Sequence, residues 1–338
     1  MDSYTHLSLS ERVELKIGLA RGESLRQLAR RLDRSPSTLS RERRRSCLCD
    51  AVYEADVAAD AARARRRRGG RKLQPGSPPW DLMLERLRCG WSPEQIAGGL
   101  KHDHPDQPEQ RVSHETIYRA LYVLPKGDLK KELLSLLRQA GRARRPRSGG
   151  KKRGEVLKDI TPIAARPAEV ETRLIPGHWE ADLIKGKGNR SAVATLVERT
   201  TRLTLLAVMP DASAASTLNA LTQAMQGLPA IMRKTLTYDR GSEMARHAEL
   251  AERLQIDIYF ADPYSPWQRG TNENTNGLIR QYLPKGIDLS PATQSYLNDI
   301  AMSLNTRPRK ALGFKTPLAT YNELLQAHSR STGVAPQT

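Results

Sequence analysis

Apolar and polar positions change their rhythm near residue 175. Beyond it, residues 178–185, 192–198 and 203–208 form three β-rich runs with short polar breaks, which predicts an antiparallel meander. Leu218, Leu221 and Met225 then recur at helical spacing, predicting a helix over 214–226. A short strand ending at Asp239, a helix over about 244–254, a strand over 257–260 and a helix opening near Glu273 follow. The order β-β-β-α-β-α-β-α describes a mixed sheet between layers of helices. A last helix over 291–305 and the Thr316-Pro317 segment read as structural.

The front of the chain has helical spacing instead. Residues 9–45 predict a helix-turn-helix unit. In its first helix Val13, Ile17 and Ala20 form the inward stripe, broadened by Leu15 and Leu19, and Gly22 ends it. Ser24 and Gln27 match a capping box, and the helix they start carries Leu25, Leu28, Ala29 and Leu32 inward. Asp33-Arg-Ser-Pro36 reads as a tight turn, with Ser35 as N-cap and Pro36 at the first helical position. The third helix buries little beyond Leu39. It exposes Ser37, Thr38, Ser40, Arg41 and Arg44, side chains of the types that reach base edges and phosphates. A second helical unit follows. Ser92-Pro-Glu-Gln95 caps a helix with Ile96, Ala97 and Leu100 inward, and after a polar loop a helix from Ser113 buries Ile117 and Leu121. That helix offers His114, Glu115, Tyr118 and Arg119 to a partner. Its long preceding loop leaves a purely structural module as the alternative.

Charge sharpens this division. Residues 1–153 hold 34 Lys and Arg against 19 Asp and Glu, whereas residues 154–338 hold 21 against 18. A basic front half on a nearly neutral back half points to a polyanion-binding region joined to something with another task. Residues 63–72, which include Arg65, Arg66, Arg67 and Arg68, are too charged to bury and read as a flexible strap along phosphates. Residues 141–154 form a second basic, glycine-rich stretch, where the main domain boundary is expected. The predicted organisation is a helix-turn-helix domain over 1–62, a basic linker over 63–79 and a second helical domain over 80–140. A linker over 141–170, a catalytic domain over 171–325 and a tail over 326–338 complete it.

Three cysteines, Cys47, Cys49 and Cys89, make no disulfide framework. With His102 and His104 they still give no four-ligand zinc set of usual spacing. No apolar run has membrane-spanning length and no signal peptide is visible, so a cytoplasmic, nucleoid-associated protein is expected.

The chemistry rests on three carboxylates. Asp182 lies in a strand, Asp239 ends a second strand before Arg240-Gly241, and Glu273 opens a helix, with 33 residues between the last two. Like charges close together raise one another's pKa, so three converging carboxylates suit a hard divalent ion between them. Strand alternation puts His178, Glu180 and Asp182 on one face, which makes Glu180 a competing ligand. Asp182 is preferred for its central place, with Glu180 as an ion-pairing neighbour. Asp262, before Pro263, reads equally as a turn residue. Asn276 and Arg280 fall on the helix face of Glu273, where Asn276 supports the ligands and Arg280 suits a phosphate chain along the helix.

The run Asp262-Pro-Tyr-Ser-Pro-Trp-Gln-Arg-Gly-Thr-Asn-Glu-Asn-Thr-Asn-Gly-Leu-Ile-Arg-Gln-Tyr-Leu-Pro-Lys-Gly286 resembles the signature of IS-thirty family insertion-sequence transposases. These belong to the retroviral-integrase-like DDE superfamily. Gly177-His-Trp-Glu-Ala-Asp-Leu-Ile184, Tyr238-Asp-Arg-Gly-Ser-Glu243 and the segment from Asn305 to Pro317 extend the likeness, as does the N-terminal helix-turn-helix. The resemblance implies a multidomain protein, all-α at the front, with a C-terminal α/β ribonuclease-H-like integrase core. It implies Asp182, Asp239 and Glu273 as a triad for two Mg²⁺ ions, which Mn²⁺ can replace, and Arg280 as the basic residue after the glutamate. Double-stranded DNA would be the partner, both as terminal inverted repeats and as target, with a dimer or larger assembly formed on it. The reaction would be end cleavage followed by transfer of the 3′-hydroxyl into target DNA. Arg240 departs from the family's usual asparagine and bears on DNA contact. A DNA-binding repressor on an inert integrase-like scaffold is the alternative, and a structure-selective nuclease is a more distant one.

Overall fold

The computed structural model describes residues 6–46, 53–66, 72–137, 157 and 159–332. The chain divides into two compact units, Met1–Lys72 and Leu73–Thr338.

The first unit holds α1 (Leu9–Ala20), α2 (Leu25–Arg31), α3 (Pro36–Ser46) and α4 (Ala55–Arg66). Capping explains where the first two begin: Ser8 with Glu11, and Ser24 with Gln27, each satisfy two free backbone N–H groups. Ser35 caps α3 by accepting from the Thr38 N–H at 3.2 Å. The inward face of α1 differs from the stripe expected. Leu15 is fully buried, while Val13 and Ile17 are 40% and 43% exposed. The cause is a buried ion pair, in which Arg12 Nε lies 2.7 Å from Glu42 of α3 and rotates the Arg12–Leu15 side of α1 inward. Residues 63–66 continue α4 instead of forming a strap, because Ala58 packs with Leu15, Leu28 and Leu39 in the core of this unit. Cys47, Cys49, Arg67 and Arg68 and the 141–154 stretch lie outside the described residues.

In the second unit, α5 (Pro78–Arg88), α6 (Pro93–Asp103), α7 (His114–Val123) and α8 (Asp128–Ser135) come first. They close around Trp80, Met83, Leu87, Ile96, Ile117 and Leu121. Helix α5 is not anticipated from the sequence. Gln95 of α6 donates to the Pro308 carbonyl at 2.8 Å, which fastens this module to the later part of the unit. At Gly98 any Cβ would fall 2.0 Å from the Phe314 ring, so glycine is what permits that approach.

A short helix, α9 (Glu169–Thr172), leads into β1 (His178–Lys185), β2 (Ala192–Glu198) and β3 (Thr204–Met209). Then come α10 (Ala214–Gln226), β4 (Thr235–Tyr238), α11 (His247–Leu254) and β5 (Asp257–Phe260), followed by α12 (Gly270–Ile279), α13 (Gln294–Asn305) and α14 (Pro317–Thr332). Residues 326–332, placed in a tail by the sequence, thus continue α14. The sheet order is β3-β2-β1-β4-β5, antiparallel through the first three strands and parallel from β1 to β4 to β5. Period-two alternation sorts the two faces. Trp179, Ala181, Leu183, Leu236 and Phe260 join the core against α10 and α11. Ile184, Val193 and Leu206 pack on the opposite face with residues of α12 and α13. His178, Glu180 and Asp182 share that second face, which α12 covers.

Candidate active site

Register brings two of the three carboxylates together. β1 pairs with β4 through Glu180 opposite Thr237. Two residues further along each strand stand Asp182 and Asp239, level with each other and on the same face. Here β4 has ended, so both side chains emerge where the two strands stop pairing.

A guanidinium lies between them. Arg269 Nη2 is 3.2 Å from Asp239 Oδ2, and its Nη1 is 3.6 Å from Asp182 Oδ1 while donating to the Ala181 carbonyl at 3.1 Å. Asp182 Oδ1 also accepts from the Leu183 N–H at 2.9 Å, and its Oδ2 accepts from Asn276 Nδ2 at 3.0 Å. Asp239 Oδ1 is buried with no hydrogen-bond partner. Burial pushes both carboxyls above their ordinary range. The Arg269 charge opposes the rise at each, and the nearby Glu243 adds to it. Glu243 itself is buried, 3.4 Å from Lys185 Nζ.

Glu273 stands exposed on the first turn of α12. Arg269 and Asn276, its neighbours four before and three after on that helix face, both touch Asp182. Residue 272, next to it, is what fixes the helix. Asn272 is fully buried; its N–H donates to Glu180 Oε2 at 2.9 Å, and its Nδ2 donates to the Glu180 carbonyl at 2.9 Å. Glu180 in turn is fully buried and held 2.7 Å from Arg199 Nη1. Glu180 therefore anchors α12 and has no free oxygen for an ion. Arg280 donates to the carbonyls of Leu283 and Lys185, tying α12 to the end of β1, and burial pulls its pKa down. Arg240 is 3.2 Å from Asp262 Oδ1 and donates to the Ala261 carbonyl.

Whether this donor set suits a divalent cation can be judged from two features. Asp182 and Asp239 already share one cationic partner, and Asp239 keeps a buried oxygen without a donor, as hard-cation chemistry would use. Among the described residues no three carboxylate, histidine or cysteine side chains gather closely enough to hold an ion together, so Glu273 does not close the set in this arrangement. Arg269, Asn272 and Arg199 are the residues that sequence reasoning misses. Arg269 sits one helical turn before Glu273, and that spacing was the available signal.

In the first unit, Ser37, Ser40, Arg41 and Arg44 are exposed on α3, and Thr38 is half-buried beside its cap. Thr38 and Arg41 line one pocket with Arg45 and with Arg65 of α4. Arg66 belongs to α4 by its backbone, and Arg119 is exposed on α7. Among the described residues no helix is long and apolar enough to cross a membrane.

Comparison with known proteins adds the lineage. A helix-turn-helix domain model matches residues 3–46, and an integrase core domain model matches residues 175–266, which include Asp182 and Asp239 and stop short of Glu273. The transposase for insertion sequence element IS1086 of Cupriavidus metallidurans is 51% identical, covering 95% of this chain and 96% of its own length. Transposase InsI for insertion sequence element IS30A of Escherichia coli is 44% identical over 92% of this chain and 82% of its own. The transposase for IS4351 of Bacteroides fragilis is 33% identical over 96% and 98%. With identity at these levels along almost the whole length, and both family models falling on the segments described, the chain belongs to the IS30 family of insertion-sequence transposases.

Proposed function

We propose that this protein cleaves the ends of an insertion sequence and joins the freed 3′-hydroxyl to target DNA in one carboxylate site, formed by Asp182, Asp239 and Glu273. The observation that carries the reading is the placement of Asp182 and Asp239 side by side at diverging strands, beneath the helix that bears Glu273. Bound there, two Mg²⁺ ions, or Mn²⁺ in their place, would supply Lewis-acid stabilisation of phosphoryl oxygens and an activated water. The chain's own contribution is to hold the ligands. Asn276 and the Leu183 N–H orient Asp182, and the Glu180–Asn272 pairing sets the first turn of α12. Family membership supports a DNA-cleaving and DNA-joining enzyme, and all three carboxylates are present, which disfavours a repressor on an inert scaffold.

DNA recognition is assigned to α3, through Ser37, Thr38, Ser40, Arg41 and Arg44 at terminal inverted repeats. Arg65, Arg66, Arg67, Arg68, Arg119 and Arg280 would add sequence-independent, salt-sensitive affinity. Joining requires paired ends, so a dimer or larger assembly forms on DNA, and the site of action is the nucleoid. A pre-cut element end with a 3′-hydroxyl, mixed with a supercoiled plasmid and a divalent ion, tests the joining step. Covalent transfer is expected with the hydroxyl and none with a 3′-deoxy end; equal products from both ends would exclude transesterification.

A further inference from the structure

Arg269 stands where the carboxylate pair needs positive charge. Its two terminal nitrogens face Asp239 and Asp182, and Nη1 also donates to the Ala181 carbonyl. The side chain is buried, and its Nε has no hydrogen-bond partner. A buried guanidinium with one N–H unsatisfied is held by charge, and its hydrogen bonding is incomplete. It is therefore displaceable by a stronger counter-charge at the same carboxylates. A divalent cation seated on Asp182 and Asp239 would lie within a few ångströms of this guanidinium, and two like charges that close in a buried site repel strongly.

The turn that leads into Arg269 is strained and lightly packed. Tyr264 has φ of +61°, a backbone conformation that is unfavourable for a bulky side chain. Tyr264 and Trp267 are 93% and 73% exposed, so neither ring packs the segment onto the core. Arg269 itself stands at the junction between the short turn Pro266–Arg269 and α12, four residues before Glu273. Withdrawal of the guanidinium is thus a movement of the turn before Asn272, which itself stays bonded to Glu180.

We infer that Arg269 is the resident counter-ion of the Asp182–Asp239 pair and competes with the divalent ion for it, so that the site loads metal only as Arg269 withdraws. The inference rests on Asp182 and Asp239 being the metal-binding carboxylates. Arg269 is a positioning residue here, acting through the two aspartates, and in its inward place it keeps the carboxylates paired while the hydrolytic site stays unassembled.

The test is Mn²⁺ binding by the full-length protein without DNA, followed by titration calorimetry. Arg269→Gln removes the competing charge and keeps a hydrogen-bonding side chain, so Mn²⁺ is expected to bind about tenfold tighter than to wild type. The same variant should melt at a lower temperature in chelator, because the carboxylates have lost their partner. A merely structural arginine would lower the melting temperature without tightening metal binding. Arg269→Lys keeps the charge but cannot bridge two carboxylates, and its affinity should fall between the two. If Arg269→Gln does not fold, Arg269→Lys decides alone: tighter binding than wild type supports the competition. Unchanged or weaker Mn²⁺ affinity in the folded variant overturns it. Asp239→Asn separates the two readings. Loss of Mn²⁺ binding in Asp239→Asn leaves the carboxylate site standing even if the competition fails, and wild-type binding there overturns both.

Discussion

Asp182 and Asp239 each need a cation more than an exposed aspartate would. Burial raises both carboxyls, Glu243 adds to the rise at each, and Asp182 adds to the rise at Asp239. With folded pKa values above the unfolded ones, these two groups contribute stability that is fully present below the unfolded pKa and lost as pH rises through the folded values. Metal binding has the opposite dependence, since the ion competes with the protons. Mn²⁺ affinity should therefore keep climbing as pH rises above the ordinary aspartate range, where an exposed carboxylate has already lost its proton. Calorimetry at rising pH checks it, and a flat profile would mean that neither aspartate holds the ion. The two aspartates were legible in the sequence because strand alternation and a strand end fix where each side chain emerges. Arg269 was not, because its partners lie 30 and 87 residues away and only the β1–β4 register brings them near.

At the scale of elements, α12 is the part that has to be placed correctly. Its buried edge is fastened by Asn272, which bonds to Glu180 by both backbone and side chain and shares Thr195 of β2. Asn272→Ala keeps the backbone N–H on the Glu180 carboxylate but leaves the Glu180 carbonyl and the Thr195 groups without their side-chain partner, at a cost of about 2–3 kcal/mol by the usual penalty for buried unsatisfied polar groups. Urea denaturation measures that loss, and nicking should fall along with it although Glu273 is untouched. Undiminished activity with lowered stability would show that α12 needs no such anchor. The strands were legible to within a residue because each is a β-rich run bounded by polar breaks, and in β1 alternation adds the faces, Trp179, Ala181 and Leu183 toward one core and Glu180 and Asp182 toward the other. Helices were read less well where charge overrode periodicity. In α1 the buried Arg12–Glu42 pair turns Leu15 inward and leaves Ile17 in solvent, and in α4 an arginine-rich end hides a helix that Ala58 anchors.

At the scale of the whole molecule, a basic helix-turn-helix unit and an integrase core occupy one chain of net charge +18. Such a charge favours DNA of any sequence, so binding alone says little about catalysis. The proposed division of labour predicts that catalysis can be removed without removing recognition, because the three proposed carboxylates lie in the second unit and α3, the proposed reading helix, lies in the first. The decisive measurement is metal-dependent nicking of a labelled duplex carrying the element end, by wild type beside Asp182→Asn, Asp239→Asn and Glu273→Gln. Gel-shift binding of the same duplex is followed in parallel. Each substitution is expected to reduce nicking by about a hundredfold or more while binding persists. Wild-type nicking by any one of the three would contradict a shared carboxylate site.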